Sequence, residues 1–180
     1  VKANEKRYKA KNIIIASGSY PTQLKNIEID EEVIVSSTGA LNFKKIPKKL
    51  VVIGAGYIGL ELGSVWNRLG SEVTVIEYAN TIVPSMDLDI ANTFHNELKK
   101  QGINFLLSSE VIKAEIRSNK VHLNVKSIKD KKESKMVFDK ALLAVGRMPN
   151  TDGLGLEEVG IKITDKGNIV VNHFYKTSID

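Results

Sequence analysis

The residues with the clearest chemical purpose are Gly54-Ala55-Gly56-Tyr57-Ile58-Gly59 and, 18 positions after the last glycine, Glu77. Glycines at this spacing make a turn whose main chain can lie against a diphosphate. Gly54 permits the tight turn, Gly56 lets the backbone approach a pyrophosphate, and Gly59 lets a following helix pack near the preceding strand. A helix opening at such a turn offers unpaired N–H groups and a partial positive charge to phosphates. An acidic residue about 20 positions further on accepts hydrogen bonds from a ribose. Glu77 favours NAD over NADP, because a carboxylate repels a 2′-phosphate and Tyr78-Ala79-Asn80 supply no basic group. FAD is compatible with the same fingerprint. A structural strand-to-helix turn without any ligand is the plain alternative.

Glycine spacing alone is a weak signal, and its context decides. Leu50-Val51-Val52-Ile53 reads as a buried strand leading into the turn. Ile58, Leu62, Val65, Trp66 and Leu69 then recur at helical spacing up to Gly70, a natural C-terminal stop. Trp66 is expected in the core. Val73-Thr74-Val75-Ile76-Glu77 is a second strand, completing a βαβ unit of about 30 residues. The pattern predicts a second helix over 87–101, with Asp87 or Asp89 suiting its start and Lys99-Lys100 its end. A third strand follows at 103–107.

Residues 110–139 change character. Segments 110–117, 121–125 and 136–138 alternate partly and are separated by turns at Ser118-Asn119 and 129–135, which predicts a β-meander. Residues 140–145 form another buried strand, ending at Gly146-Arg147. Arg147 either meets a phosphate or terminates that strand. Upstream, residues 8–16 with Ile13-Ile14-Ile15-Ala16 read as a strand buried on both faces, broken by Ser17-Gly18-Ser19. Residues 20–48 read as a connector, with Ser36-Ser37-Thr38-Gly39 as a turn or helix start. Residues 151–180 form a looser tail with a hairpin at 165–168. The fold class expected is α/β: a Rossmann-type parallel sheet with flanking helices and a small antiparallel β-meander.

Composition narrows the chemistry. The 180 residues are 42% hydrophobic and 26% charged, as in ordinary globular proteins. Cysteine is absent, which excludes disulfides, thiolate metal sites and cysteine chemistry from these residues. His95, His122 and His173 are scattered without metal-ligand spacing, so no metal site is assigned. The net charge of +5 raises nucleic acid as a partner. The lysines fall in separate short groups, near 6–11, 44–49 and 126–135, and read as solvated turns rather than a nucleic-acid surface. No apolar run approaches the roughly 18 residues of a membrane span, and no signal-peptide pattern opens the chain. The chain begins at Val1 and ends at Thr177-Ser178-Ile179-Asp180, which suggests a piece of a longer protein.

Longer stretches add a family resemblance. They are Gly56-Tyr57-Ile58-Gly59-Leu60-Glu61-Leu62-Gly63-Ser64-Val65-Trp66, the run from Leu69 to Glu77, Ile14-Ile15-Ala16-Ser17-Gly18-Ser19, Lys100-Gln101-Gly102-Ile103, and Ala144-Val145-Gly146-Arg147-Met148-Pro149-Asn150-Thr151. Leu154-Gly155-Leu156-Glu157 with Gly160-Ile161 continues the match. The sequence resembles the flavoprotein disulfide oxidoreductases, and within them the dihydrolipoamide dehydrogenases.

The resemblance implies that Gly54, Ala55, Gly56, Tyr57, Ile58, Gly59, Leu60 and Glu61 bind NAD, with Glu77 on the adenosine ribose. Val111 and Gly146 would line the NAD groove through their main chain. Glu61 would sit near the nicotinamide, although its place on a helix also suits a solvated residue. Tyr57 matches a position that covers the flavin in some relatives, or is a surface aromatic. Ser17, Gly18 and Ser19 would touch FAD, with Ser17 standing where Thr is commoner. Residues 1–40 would be the end of an FAD-binding domain and a connector, 41–150 the NAD-binding domain, and 151–180 a return segment toward the FAD and central domains.

The family's CxxxxC pair, His-Glu pair and second FAD-binding Gly-Asp segment are missing. These residues alone are therefore not expected to run the full reaction, in which dihydrolipoamide is oxidised through a redox disulfide and FAD with hydride passing to NAD. The resemblance also implies a homodimer within 2-oxo acid dehydrogenase complexes, in bacterial cytoplasm or the mitochondrial matrix. Other members of the superfamily, such as a mercuric reductase, an NADH oxidase or a soluble transhydrogenase, and a non-catalytic NAD-binding module are the alternatives.

Overall fold

A computed structural model describes residues 1–179. The chain folds into two compact units. One comprises Pro21–Arg147, and the other joins Val1–Tyr20 to the chain from Met148 onward. The larger unit thus begins ahead of the boundary at 41 drawn from the sequence.

The smaller unit contains an antiparallel ribbon of β1 (Lys2–Ala3) and β2 (Lys6–Arg7). Short strands β3 (Ser19–Pro21) and β12 (Arg147–Pro149) span the two points where the chain passes from one unit to the other. The expected strand at 8–16 does not form. Ile13 is 62% and Ile14 91% exposed, and none of the ladders among the described residues includes this segment. A doubly buried strand needs neighbours to take its N–H and C=O groups. The expected hairpin at 165–168 is present as a single bridge between Ile163 and Ile169, with Gly167 at φ +78°.

The larger unit is built on a five-stranded parallel sheet. Its strands are β4 (Ile34–Val35), β5 (Lys49–Ile53), β6 (Glu72–Ile76), β7 (Asn104–Leu106) and β11 (Lys140–Leu143), in the order β4-β11-β5-β6-β7. The helices are α1 (Ser37–Ala40), α2 (Tyr57–Arg68) and α3 (Leu88–Lys100). An antiparallel meander of β8 (Ser109–Arg117), β9 (Lys120–Ser127) and β10 (Glu133–Phe138) completes the unit.

Strand alternation divides the core into two layers. Leu50, Val52, Val73, Val75 and Leu142 join Leu60, Trp66 and Leu98 in one cluster, on the side of the helices. Val51, Ile53, Ile76, Ala141 and Leu143 join Val121, Leu123, Val125 and Phe138 in the other, beneath the meander. Beyond their first residues the central strands are almost wholly apolar, Thr74 excepted, because both faces are covered. The meander strand β9 alternates, with Val121, Leu123 and Val125 buried and Lys120 exposed. Its hairpin to β8 turns at Ser118 and Asn119, at φ +51° and +57°, the pair of left-handed residues that a tight β-hairpin favours.

The orientation of α2 differs from the apolar periodicity. Its buried residues are Gly59, Leu60, Gly63 and Trp66, whereas Val65 is 39% and Leu69 52% exposed. The helix lies so near the sheet that glycines form part of its buried face, and a hydrophobicity pattern does not see glycines. A Cβ on Gly63 would stand 3.3 Å from a Val52 methyl. Trp66 is core as expected. Its ring lies 5.2 Å from Phe43, and its Nε1–H donates to the Ala40 carbonyl.

Helix α3 is capped by the Asp87 carboxylate, which accepts the Asp89 N–H at 2.9 Å, and Lys99 and Lys100 close its last turn. These charges match the helix dipole. Half-buried His95 on α3 packs edge-on to Phe105, with ring centroids 4.5 Å apart, and its buried Nε2 has no hydrogen-bond partner. Burial and then the nearby Lys99 charge hold its pKa below the ordinary histidine value.

Asp139 ties the meander to the start of the central strand. Its carboxylate accepts the Lys49 N–H at 2.9 Å and pairs with Lys120 at 3.4 Å, while its own N–H donates to the Lys49 carbonyl. The Lys49 hydrogen bond, and then Lys120, hold its pKa below the ordinary aspartate value. A lowered folded pKa contributes stability above the unfolded pKa, about 3.9, and loses it as pH falls through the folded value. Asp139→Asn should cost about 1 kcal/mol at pH 7. In urea unfolding from pH 7 to 2, the difference between wild type and variant should shrink only below about pH 4.

Candidate functional site

The sheet dictates where a ligand can sit. On either side of β5 lie β11 and β6, so the chain order reverses beside it and a crevice opens at the carboxyl ends of these strands. A cleft of about 650 Å³ occupies that place. Its floor is Ile53, Ile76 and Leu143, the last residues of three parallel strands. One wall is the glycine turn with the start of α2. Another is Glu77 and Tyr78 with Ser109, Glu110 and Val111. A third is the segment from Ala144 to Arg147.

The three glycines take different parts. Gly54 has φ +102°, and a Cβ there would come 2.5 Å from the Ala144 carbonyl oxygen. A Cβ on Gly59 would collide with the Gly54 carbonyl oxygen and stand 2.9 Å from Val52. Both are required by packing alone. At Gly56 a Cβ would meet nothing within 4 Å. Gly56 is at the cleft wall, so the space beside its backbone is open to a ligand. It is also the N-cap of α2 and supplies no side-chain cap. The first N–H groups of the helix have no intrahelical acceptors. They form a mouth suited to an anion.

Glu77 follows the last residue of β6, and its two carboxylate oxygens are already engaged. Oε2 accepts the Ala55 N–H at 2.6 Å and Oε1 the Ala79 N–H at 2.8 Å. An ionised carboxylate has about four acceptor positions, so each oxygen can still take a hydroxyl.

Gly54, Gly56, Tyr57, Ile58, Glu77, Val111 and Gly146 all line the cleft. Ala55, Gly59 and Leu60 lie behind it, buried, and shape the turn rather than face a ligand. Glu61 is exposed on α2 and is not part of the cleft wall. Tyr57, 63% exposed at the first position of α2, stands at the rim. Arg147, left undecided by the sequence, lines the cleft. Ser17 and Gly18 lie in the smaller unit. There the Asn150 N–H donates to the Gly18 carbonyl at 2.9 Å and its side chain to the Ser17 carbonyl at 3.2 Å. Gly18 has φ +77° and open space where a Cβ would be. Ser19 follows at the start of β3.

The cleft also contains Pro21, Leu24, Ser37 and Pro84, which motif reasoning missed. Ser37 carried a signal, since it follows a parallel strand at the carboxyl edge where ligands bind. Among the described residues, no group of three His, Asp or Glu side chains is placed to hold a metal. No helix among them is long and apolar enough to cross a membrane.

Over residues 1–180 the sequence matches the pyridine nucleotide-disulphide oxidoreductase profile. The chain belongs to the pyridine nucleotide-disulphide oxidoreductases. Within this family it is 47% identical over 176 residues to a dihydrolipoamide dehydrogenase of Chaetomium thermophilum, covering 97% of this chain and 35% of that protein. It is 48% identical over 171 residues to the mitochondrial dihydrolipoyl dehydrogenase 1 of Arabidopsis thaliana, covering 95% of this chain and 34% of that protein. The chain therefore spans about a third of the length of these relatives. Solved structures agree in fold. The Cu(II) complex of the HOCl-induced flavoprotein disulfide reductase RclA from Escherichia coli superposes with a TM-score of 0.78 at 31% identity, over 91% of this chain and 36% of that one. LpdA from Mycobacterium tuberculosis gives a TM-score of 0.79 at 25% identity, over 90% and 34%.

The glycine assignments separate packing from binding. Gly59→Ala should destabilise the fold by about 2–3 kcal/mol. Gly56→Ala should change stability by no more than about 1 kcal/mol. Paired urea unfolding curves check this, and equal losses would show that Gly56 too is a packing residue.

Proposed function

We propose that this chain is the NAD-binding part of a dihydrolipoyl dehydrogenase-type flavoenzyme. In the whole protein, dihydrolipoamide would be oxidised through a redox disulfide and FAD, with hydride passing to NAD. The observation that carries this reading is the open face of Gly56 in the same cleft as the Glu77 carboxylate. A pyrophosphate and a ribose of one dinucleotide have matching places there. The identities of 47–48% to dihydrolipoamide and dihydrolipoyl dehydrogenases support the choice of enzyme within the family.

In this reading the N–H groups of Gly56, Tyr57 and Ile58 receive the pyrophosphate, and Glu77 accepts the adenosine ribose hydroxyls. Gly54, Ala55, Gly59 and Leu60 hold the turn in shape. The main chain of Val111 and Gly146 borders the groove. The family resemblance further assigns Glu61 to the nicotinamide end and Tyr57 to covering the flavin until the dinucleotide displaces its ring. Ser17, Gly18 and Ser19 meet FAD, with Val1–Tyr20 and the chain from Met148 serving the flavin side and Pro21–Arg147 the NAD side. The flavin supplies the hydride chemistry; these residues bind and orient. The assembly proposed is a homodimer within a 2-oxo acid dehydrogenase complex. Its setting is the mitochondrial matrix or bacterial cytoplasm, and several relatives are named as mitochondrial.

Calorimetric titration of the full-length protein with NADH and NADPH tests the cofactor. NADH should bind at least about tenfold more tightly, a difference of about 1.4 kcal/mol. Glu77→Arg should weaken NADH and abolish the preference. Equal binding of the two by the wild type would overturn the assignment of Glu77.

A further inference from the structure

We propose that Glu77 also acts as a clamp, its carboxylate setting the Gly54–Gly56 turn in its phosphate-receiving shape before any dinucleotide arrives. The proposal rests on the NAD reading of the cleft and adds a positioning role that acts on the pyrophosphate without touching it.

The hydrogen bonds around Ala55 support this role. Ala55 is fully buried, and its N–H donates to Glu77 Oε2 at 2.6 Å. If the carboxylate left, the buried Ala55 N–H would lose its acceptor, and such a group is disfavoured without one. The Ala55 carbonyl is held as well, accepting the Val83 N–H at 2.9 Å. Val83 has φ +37°, a conformation that β-branched residues rarely adopt. Its side chain is only 4% exposed, and neighbouring Ile82 is fully buried, so packing fixes the backbone that carries this donor. One residue earlier, the Gly54 N–H donates to the Ile76 carbonyl at 2.8 Å. The peptide groups on both sides of Ala55 are therefore fixed, and the next N–H groups along the chain are those at the mouth of α2.

Pre-alignment matters because a ligand that must order a loose turn binds more weakly. The clamp also reaches the opposite wall. Oε1 of Glu77 holds the Ala79 N–H, the Ala79 carbonyl accepts the Ser108 N–H at 2.8 Å, and the Glu77 carbonyl accepts the Ser109 N–H at 2.9 Å. Ser109 begins β8, the strand that carries Val111. One side chain thus connects the phosphate turn to the wall across the cleft.

A ribose-only role and a clamp give opposite outcomes for an anion that has no ribose. Removing a negative charge beside an anion site by itself tightens anion binding. Loss of the clamp loosens the turn and weakens it. The two variants are Glu77→Met, which keeps the length but removes the charge and both acceptor oxygens, and Glu77→Asp. Aspartate serves as the ribose acceptor in other dinucleotide sites, but is one methylene short of reaching Ala55.

The experiment measures, in the full-length protein, hydrogen exchange at the Ala55 amide without ligand, and the affinity for inorganic pyrophosphate and for NADH. For both variants the clamp predicts Ala55 exchange at least about tenfold faster and pyrophosphate binding at least about fivefold weaker. Melting curves separate this from general loosening, which would speed exchange in β5 and β6 to the same degree. Unchanged Ala55 exchange, or pyrophosphate binding as tight as in the wild type or tighter, overturns the proposal. If Glu77→Met does not fold, Glu77→Asp decides. A wild type that fails to bind NADH refutes the cofactor reading, while Ala55 exchange still decides the clamp.

Discussion

The close approach of α2 to the central strand is the constraint on which the rest depends. At Gly59 there is no room for a Cβ between the helix, the Gly54 carbonyl and Val52. Helix and strand can meet this closely only if the chain reverses within a few residues, which the left-handed backbone at Gly54 permits. The reversal brings the N-terminus of α2 over the carboxyl ends of the parallel strands. An anion site, a cleft and an open face at Gly56 all follow from that one contact. The chemistry is thus a by-product of how a helix is seated on a sheet, and the sequence records it as glycine spacing.

The second face of the sheet supports the first. Val121, Leu123 and Val125 cover the apolar side chains that point away from the helices. Without that cover, Val51, Ile53 and Ile76 would face water, and strands with two apolar faces would have no reason to stay in register. The meander also delivers Val111 to the cleft from the side opposite α2. Asp139 and Glu77 play related parts at the two ends of the sheet, each placing a carboxylate against backbone N–H groups that no neighbouring strand satisfies.

Most of this architecture was legible because it is written in local rules. The βαβ unit announced itself through an apolar run, a glycine turn and an acid at the right distance. The end of α3 was marked by Lys99, Lys100 and Gly102, and the hairpin of the meander by Ser118 and Asn119. The misses share a cause, which is dependence on partners that a local pattern does not name. The isoleucines at 13–15 have strand composition but no ladder to join. Val65 and Leu69 fit a helical stripe, yet the buried face of α2 is set by glycines. The hydrogen bond from Ala55 to Glu77 spans 22 positions, and nothing in either residue type foretells it. Ser37, Pro84 and Arg147 reach the cleft from separate elements that only the sheet order brings together.

The central claim is that the glycine turn and Glu77 hold the two halves of one dinucleotide. A crystal structure of the full-length protein with bound NADH tests it most directly. The account predicts pyrophosphate oxygens at about 2.7–3.2 Å from main-chain N–H groups among Gly56, Tyr57 and Ile58. It also predicts adenosine ribose hydroxyls on the Glu77 carboxylate. A dinucleotide bound away from the Gly56 turn, or one whose ribose leaves Glu77 uncontacted, would contradict it.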